Sequence, residues 1–238
     1  MDHPSPDAGA GDPVAADAGG REAEIASKAG WGRDALGARE GVLVAFSGGV
    51  GSSGVAALAH DALGDDAVAC TARSETLPAA ELEDARRVAA EIGVRHDTVT
   101  FSELDDPNFV ANDGDRCYHC RTMRLGRMYD RARELGIDTV CDGTNADDPG
   151  DGHRPGLRAV DEPDVSSPLL DAHITTTEAP ALADAYGLSL AHQPSMACLS
   201  STNAPGPEDT EARLSCAAYA ERPTAVRGIA GVLSQAPC

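Results

Sequence analysis

Apolar and polar positions fall along this chain in blocks that alternate between two periods. Val42-Leu43-Val44-Ala45-Phe46 is an unbroken apolar run that stops at a Gly/Ser cluster, as expected of a strand buried on both faces. Residues 67–72, 98–101 and 139–141 read as three further strands. Between them, residues 55–63, 78–92 and 121–135 repeat apolar side chains at helical spacing. In the second of these helices Leu82, Ala85, Val88, Ala89 and Ile92 share one face, with Pro78 at the start and Gly93 behind the end. Gly136 closes the third, and a sparser helical pattern through Ile25, Ala29 and Leu36 precedes the first strand.

Strands and helices in this order predict βαβ units and an α/β fold with a parallel, doubly wound sheet, which binds ligands at the carboxyl ends of its strands. Residues 1–20 read as a disordered acidic tail, 21–165 as the α/β domain, and 166–238 as a smaller C-terminal region where the pattern weakens. In that region residues 176–186 and 208–221 look helical, with Pro180 interrupting the first. No internal repeat stands out.

Composition narrows the partners. The 238 residues carry 19 Lys plus Arg against 39 Asp plus Glu, a net charge of −20. Such a chain repels a phosphate backbone or an anionic membrane surface, so neither nucleic acid nor membrane is an expected partner. Lys28 is the sole lysine, and heavy carboxylate content with almost no lysine suits a protein kept soluble in concentrated salt, or a GC-rich genome. Only 3% of residues are aromatic, so the core must come from Val, Leu, Ile and Ala. The first twenty residues lack the apolar stretch of a secretory signal, and no run approaches a membrane span, so a cytoplasmic location is expected. The seven cysteines are then candidates for metal binding, sulfur chemistry or burial.

Several segments carry candidate chemistry. Ser47-Gly48-Gly49-Val50-Gly51-Ser52-Ser53 follows the first strand and precedes a helix. It is either a tight turn or a phosphate cradle of inward N–H groups and serine hydroxyls; it has neither a Walker lysine nor dinucleotide-fingerprint spacing. Cys117 and Cys120 stand one helical turn apart and can share a metal or cluster, although chance pairing is a live alternative. Cys198 lies among small residues and is either a reactive thiol or a small core hydrophobe. Asp142, Asn145, Asp147 and Asp148 crowd the end of the fourth strand, as a solvated loop or as oxygen ligands for Mg²⁺. Arg154 suits a phosphate, a carboxylate or a plain salt bridge. His119, His153 and His192 show no ligand arrangement, and Cys70 and Cys141 read as core.

The stretch from Phe46 to Ser53 resembles the PP-loop of the ATP pyrophosphatases (adenine nucleotide alpha hydrolase-like fold), with Gly51 where that family has aspartate. Together with residues 116–121, 142–148, 154–157, 167–169 and 194–201 it resembles the LarE-type sulfur transferases, which make the nickel-pincer cofactor of lactate racemase. The resemblance implies ATP and Mg²⁺ as cofactors, with Ser47, Gly48, Gly49, Gly51, Ser52, Ser53, Asp142 and Asn145 at the nucleotide. It implies adenylation of a small-molecule carboxylate on a pyridinium mononucleotide, then displacement of AMP by sulfur. In one branch the cysteine matching Cys198 gives up its own sulfur. In another, cysteines matching Cys117, Cys120 and Cys198 hold a [4Fe–4S] cluster, and this chain has all three. Cations of the family near Thr176, Pro180 and Thr202 are missing, which implies weakened or altered catalysis. Other PP-loop activities (tRNA thiolation, amide formation), a binding-only paralogue and a homo-oligomer are the remaining expectations.

Overall fold

The computed structural model describes residues 13–150, 165–191, 198–202 and 206–226. Arg154, His153, His192 and Cys238 lie outside the described residues. The chain begins with a helix, Pro13–Gly37 (α1), followed by the strand Val42–Ala45 (β1) and the helix Val50–Leu63 (α2). Strand Ala67–Arg73 (β2), helix Ala79–Ile92 (α3) and strand Arg95–Thr100 (β3) come next. A short helix Pro107–Val110 (α4) leads to the long helix Arg116–Leu135 (α5) and the strand Thr139–Cys141 (β4). Helices Pro168–Asp171 (α6), Ala179–Ala185 (α7) and Glu211–Val226 (α8) complete the described elements.

The four strands form one parallel sheet in the order β3-β2-β1-β4. Val42 pairs with Ala67 on one side and Thr139 on the other, so β1 is central and donates to both neighbours. Alternate residues of its apolar run face opposite ways, because side chains on a strand have period two. Val42 and Val44 join α1, α2, α3 and α7 in the larger core cluster, through Leu36, Leu58, Val88 and Leu182. Leu43 faces the other side, where Cys70, Phe101 and Val140 pack on Met128 and Ala132 of α5. The sheet is thus wound on both faces, as the alternation predicts. Leu43, Leu58 and Val88 are fully buried, each worth about 1.5–3 kcal/mol relative to exposure.

Several boundaries differ from the sequence expectation. Helix α1 starts at Pro13, within the segment read as a tail, where Pro takes the first helical position and alanines follow. Helices α2 and α5 each start five residues earlier than the apolar pattern, at Val50 and Arg116. Pro180 does not interrupt a helix: it occupies the first turn of α7, where its missing N–H costs nothing. Strand β3 extends back to Arg95 through half-exposed positions, since an edge strand needs no continuous apolar run. Among the described residues no helix is long and apolar enough to cross a membrane.

Candidate functional site

A cleft of about 700 Å³ opens at the carboxyl ends of β1, β2 and β4. Ser47, Gly49, Gly51 and Ser52 line one wall, Asp142, Asn145 and Asp148 a second, and Cys117, Cys120 and Cys198 a third. Two residues expected at the nucleotide are not brought to the wall. Gly48 has φ +77°, and a Cβ there would stand 2.8 Å from the Ala85 Cα, so this turn onto α3 requires glycine. Ser53 is fully buried, and its hydroxyl has no hydrogen-bond partner among the described residues.

The loop is held by its own serines. The Ser52 hydroxyl donates to the Gly49 carbonyl at 3.1 Å and accepts from the Ser47 N–H at 3.2 Å. The Gly49 N–H donates to the Ser47 hydroxyl at 3.2 Å. The first turn of α2 then presents N–H groups that have no acceptor within the helix, and its positive end faces the cleft. An anion of phosphate type fits that position.

Opposite, Gly143 is pressed against the start of α2. A Cβ at Gly51 would lie 2.8 Å from the Gly143 carbonyl oxygen, and one at Gly143 would lie 2.6 Å from the Ser52 nitrogen. The missing aspartate at position 51 therefore coincides with a backbone-to-backbone contact that leaves no room for a side chain. Asp142, before this contact, has both oxygens engaged. It accepts from the Thr144 N–H at 3.1 Å, the Thr144 hydroxyl at 2.6 Å, the Ser167 hydroxyl at 2.8 Å, and Arg121. Asp142 thus organises the turn. The Asn145 side-chain oxygen accepts from the Asp147 N–H and the Thr176 hydroxyl, at 3.0 and 3.2 Å. Asp148 lines the cleft and its carboxylate accepts from the Asn145 N–H at 2.9 Å, while Asp147 accepts from the Thr176 N–H at 2.8 Å.

Cys70 and Cys141 are fully buried in strands, and burial pushes each thiol up to about 12. Cys117, Cys120 and Cys198 open on one cleft and carry thiols outside any disulfide. Cys120 donates to the Glu103 carboxylate at 3.0 Å. Burial above all, then the Glu103 carboxylate, raises its thiol far above the ordinary range, against the opposing pull of Arg124. In kind, thiolate sulfur is the ligand an iron–sulfur cluster takes. The side chains are not drawn in around one point: among the described residues no group of three or more His, Cys, Asp or Glu is placed to hold a metal ion.

Three residues that sequence patterns did not single out support the site: Arg121 and Arg124 line the cleft, and Glu103 lies buried behind it. Glu103, fully buried in the turn Glu103–Asp105 after β3, accepts from Arg124 at 3.0 Å and from the Ser74 hydroxyl at 2.8 Å. Burial alone would raise its pKa, but the Arg124 guanidinium and hydrogen bonds from Thr76, Cys120 and Ser74 bring it below the ordinary value. Arg121 and Arg124, the cations lining the cleft among the described residues, are thus paired with Asp142 and Glu103. Position at a strand's carboxyl end was the one available signal for Glu103.

A parallel sheet with a glycine loop between its central strand and the following helix, facing an acidic turn, is the arrangement of the PP-loop α/β class. The asparagine synthase family model matches residues 33–140. A protein of Synechocystis, slr1717, uncharacterised, is 39% identical over 79% of this chain and 70% of its own length. The pyridinium-3,5-bisthiocarboxylic acid mononucleotide synthase of Lactiplantibacillus plantarum is 36% identical over 62% of this chain and 54% of its own, so the chain spans just over half of that relative. Two solved structures share the fold. NMN synthetase from Francisella tularensis superposes with a TM-score of 0.58 at 13% identity, covering 91% of this chain and 98% of its own. The NH3-dependent NAD synthetase from Campylobacter jejuni gives 0.54 at 20% identity, covering 71% and 74%. The chain belongs to the LarE-type family of PP-loop proteins.

Proposed function

We propose that this chain is an ATP-dependent sulfur transferase whose acceptor is a small-molecule carboxylate, of which a pyridinium mononucleotide is the favoured class. The observation that carries this is the placement of the glycine loop, the turn after β4 and three thiols on one cleft of about 700 Å³. The loop and the α2 N-terminus hold the ATP phosphates, and Asp148 and Asn145 supply oxygen ligands for the accompanying Mg²⁺. A carboxylate oxygen of the acceptor attacks the α-phosphorus and pyrophosphate leaves, giving an acyl adenylate. Sulfur then adds to the acyl carbon, and AMP departs with the bonding pair. A [4Fe–4S] cluster on Cys117, Cys120 and Cys198 would supply an iron without a protein ligand, able to carry an extra sulfide. Without a cluster, the exposed Cys198 thiolate adds to the acyl carbon as AMP leaves, and loss of its α proton with cleavage of the Cβ–Sγ bond releases the thiocarboxylate and leaves dehydroalanine at position 198.

The test combines pyrophosphate release from ATP and Mg²⁺ with mass spectrometry of the acceptor. Release that requires the pyridinium carboxylate, with one oxygen exchanged for sulfur, is expected. Cys198→Ala should abolish the sulfur exchange and leave the release intact. Anaerobically isolated protein carries about four irons per chain if the cluster assignment holds. A second reading, nucleotide binding without turnover, is favoured by the contact of Gly51 with Gly143, which leaves the aspartate position closed. Tight ATP binding without pyrophosphate release for any carboxylate would decide for it.

A further inference from the structure

We propose that the ion pair of buried Glu103 and half-buried Arg124 is a positioning device that sets Cys120 and Cys198 side by side on the cleft. This rests on the sulfur-handling reading of these thiols, and goes beyond it in assigning what holds them in register.

The two cysteines come from separate parts of the chain, α5 and the position just before the turn Leu199–Thr202. One hub bonds Cys120 directly and the backbone beside Cys198. The Glu103 Oε1 accepts from the Cys120 Sγ and from the Arg124 Nε, each at 3.0 Å. The Arg124 Nη2 donates to the Thr76 hydroxyl at 2.7 Å, and the Thr76 carbonyl accepts the Leu199 N–H at 3.2 Å, one residue past Cys198. Ser74 closes the hub, donating to Glu103 Oε2 at 2.8 Å and lying 3.1 Å from the Thr76 hydroxyl. The thiol of Cys198 is near enough to act electrostatically on both Cys120 and Arg124. A second tie secures the far side. The Ser200 hydroxyl donates to the buried carboxylate of Asp209, which lies 3.7 Å from the guanidinium of Arg116, next to Cys117.

Stability alone does not explain the hub. A buried ion pair recovers little more than its own desolvation, and apolar residues of equal volume usually do as well. An arginine fork bridging a carboxylate and a hydroxyl fixes geometry that a lysine point charge cannot. Here the fork joins the strand-end segment beneath Cys198 to the carboxylate that orients Cys120.

Thiol cross-linking with dibromobimane tests this on the protein without iron or ATP, in a Cys117→Ser background, with peptide mass spectrometry identifying the linked pair. The Cys120 to Cys198 product is expected to fall about tenfold in Glu103→Gln and Arg124→Met, the loss of one charge-assisted hydrogen bond. Arg124→Lys is expected to fall nearly as far. Cys70 and Cys141 must remain unreactive, which shows the fold intact. A product equal to the parent's in folded Glu103→Gln and Arg124→Met overturns the proposal. Where either variant unfolds, Thr76→Val decides: it removes only the hydroxyl that Arg124 holds, and an undiminished product again overturns it. Sulfur transfer plays no part in this measurement, so the function proposed above can fail while the hub stands, and the reverse.

Discussion

Replacing Gly51 by alanine reports how tightly the nucleotide loop and the turn after β4 are fitted together. Inside a helix, glycine to alanine normally gains about 0.5–1 kcal/mol, since alanine gives up less conformational freedom. At position 51 the added Cβ would stand 2.8 Å from the Gly143 carbonyl oxygen, where unstrained contact begins near about 3.5 Å. The turn has little freedom to retreat. The Asp142 N–H donates to the Ser166 carbonyl at 3.0 Å, and the Ala146 N–H to the Ile174 carbonyl at 2.9 Å. Overpacking of this kind costs about 1–3 kcal/mol, so the balance runs from no gain to a net loss of about 2.5 kcal/mol. For a chain of this size the thermal midpoint then stays level or falls by up to about 10 °C. Gly126, in α5 with nothing within 4 Å of its Cβ position, is the control. Its alanine variant should rise by about 1–4 °C. Scanning calorimetry of both reads the difference. A Gly51→Ala midpoint that rises alongside Gly126→Ala would refute the reasoning. By the same contact, Gly51→Asp should lower stability and leave pyrophosphate release no higher than in the parent.

The remaining expectations are simpler. The pKa of Glu103 is lowered in the folded state, so its contribution is complete above the ordinary glutamate value, about 4.3, and is lost as pH falls through the folded one. Glu103→Gln should therefore lose stability at neutral pH and show a shallower decline in acid, read by urea titration at several pH values; parallel curves would contradict this. Ser53→Ala removes a buried hydroxyl that has no partner among the described residues, so the unfolding free energy should stay level or rise by up to about 1 kcal/mol. Equilibrium dialysis should show its ATP affinity unchanged. Lys28, bonded to Glu178 at 2.6 Å, ties α1 to the start of α7; Lys28→Met should cost about 0.5–1 kcal/mol, checked by thermal unfolding. Adding KCl should raise the midpoint, because the −20 charge repels itself less when screened; a fall would mean that specific pairs outweigh the net repulsion.

How much was legible in the chain follows from what each element buries. The central strands announced themselves because both faces are covered, which forces unbroken runs such as Val42 to Ala45. Edge strand β3 was read short, since Arg95, His96 and Asp97 are exposed or half-buried and break the run. The first turns of α2 and α5 were missed for one reason: glycines, serines and cysteines at the site carry no apolar period. Those same residues revealed the site, because phosphate cradles and paired thiols are local in sequence. Glu103 and Arg124 were invisible, as two more charges in a strongly charged chain, until folding placed them around Cys120. Position 51 was legible as an absence, but its reason, the approach of Gly143, exists only in three dimensions.

The lone lysine has a practical consequence for handling the molecule. Reagents that target primary amines find one side-chain amino group, and that group sits against a carboxylate which keeps it protonated and slow to react. Dyes, biotin esters and aldehyde fixatives will label this protein sparsely, while arginine-directed dicarbonyls will modify it widely.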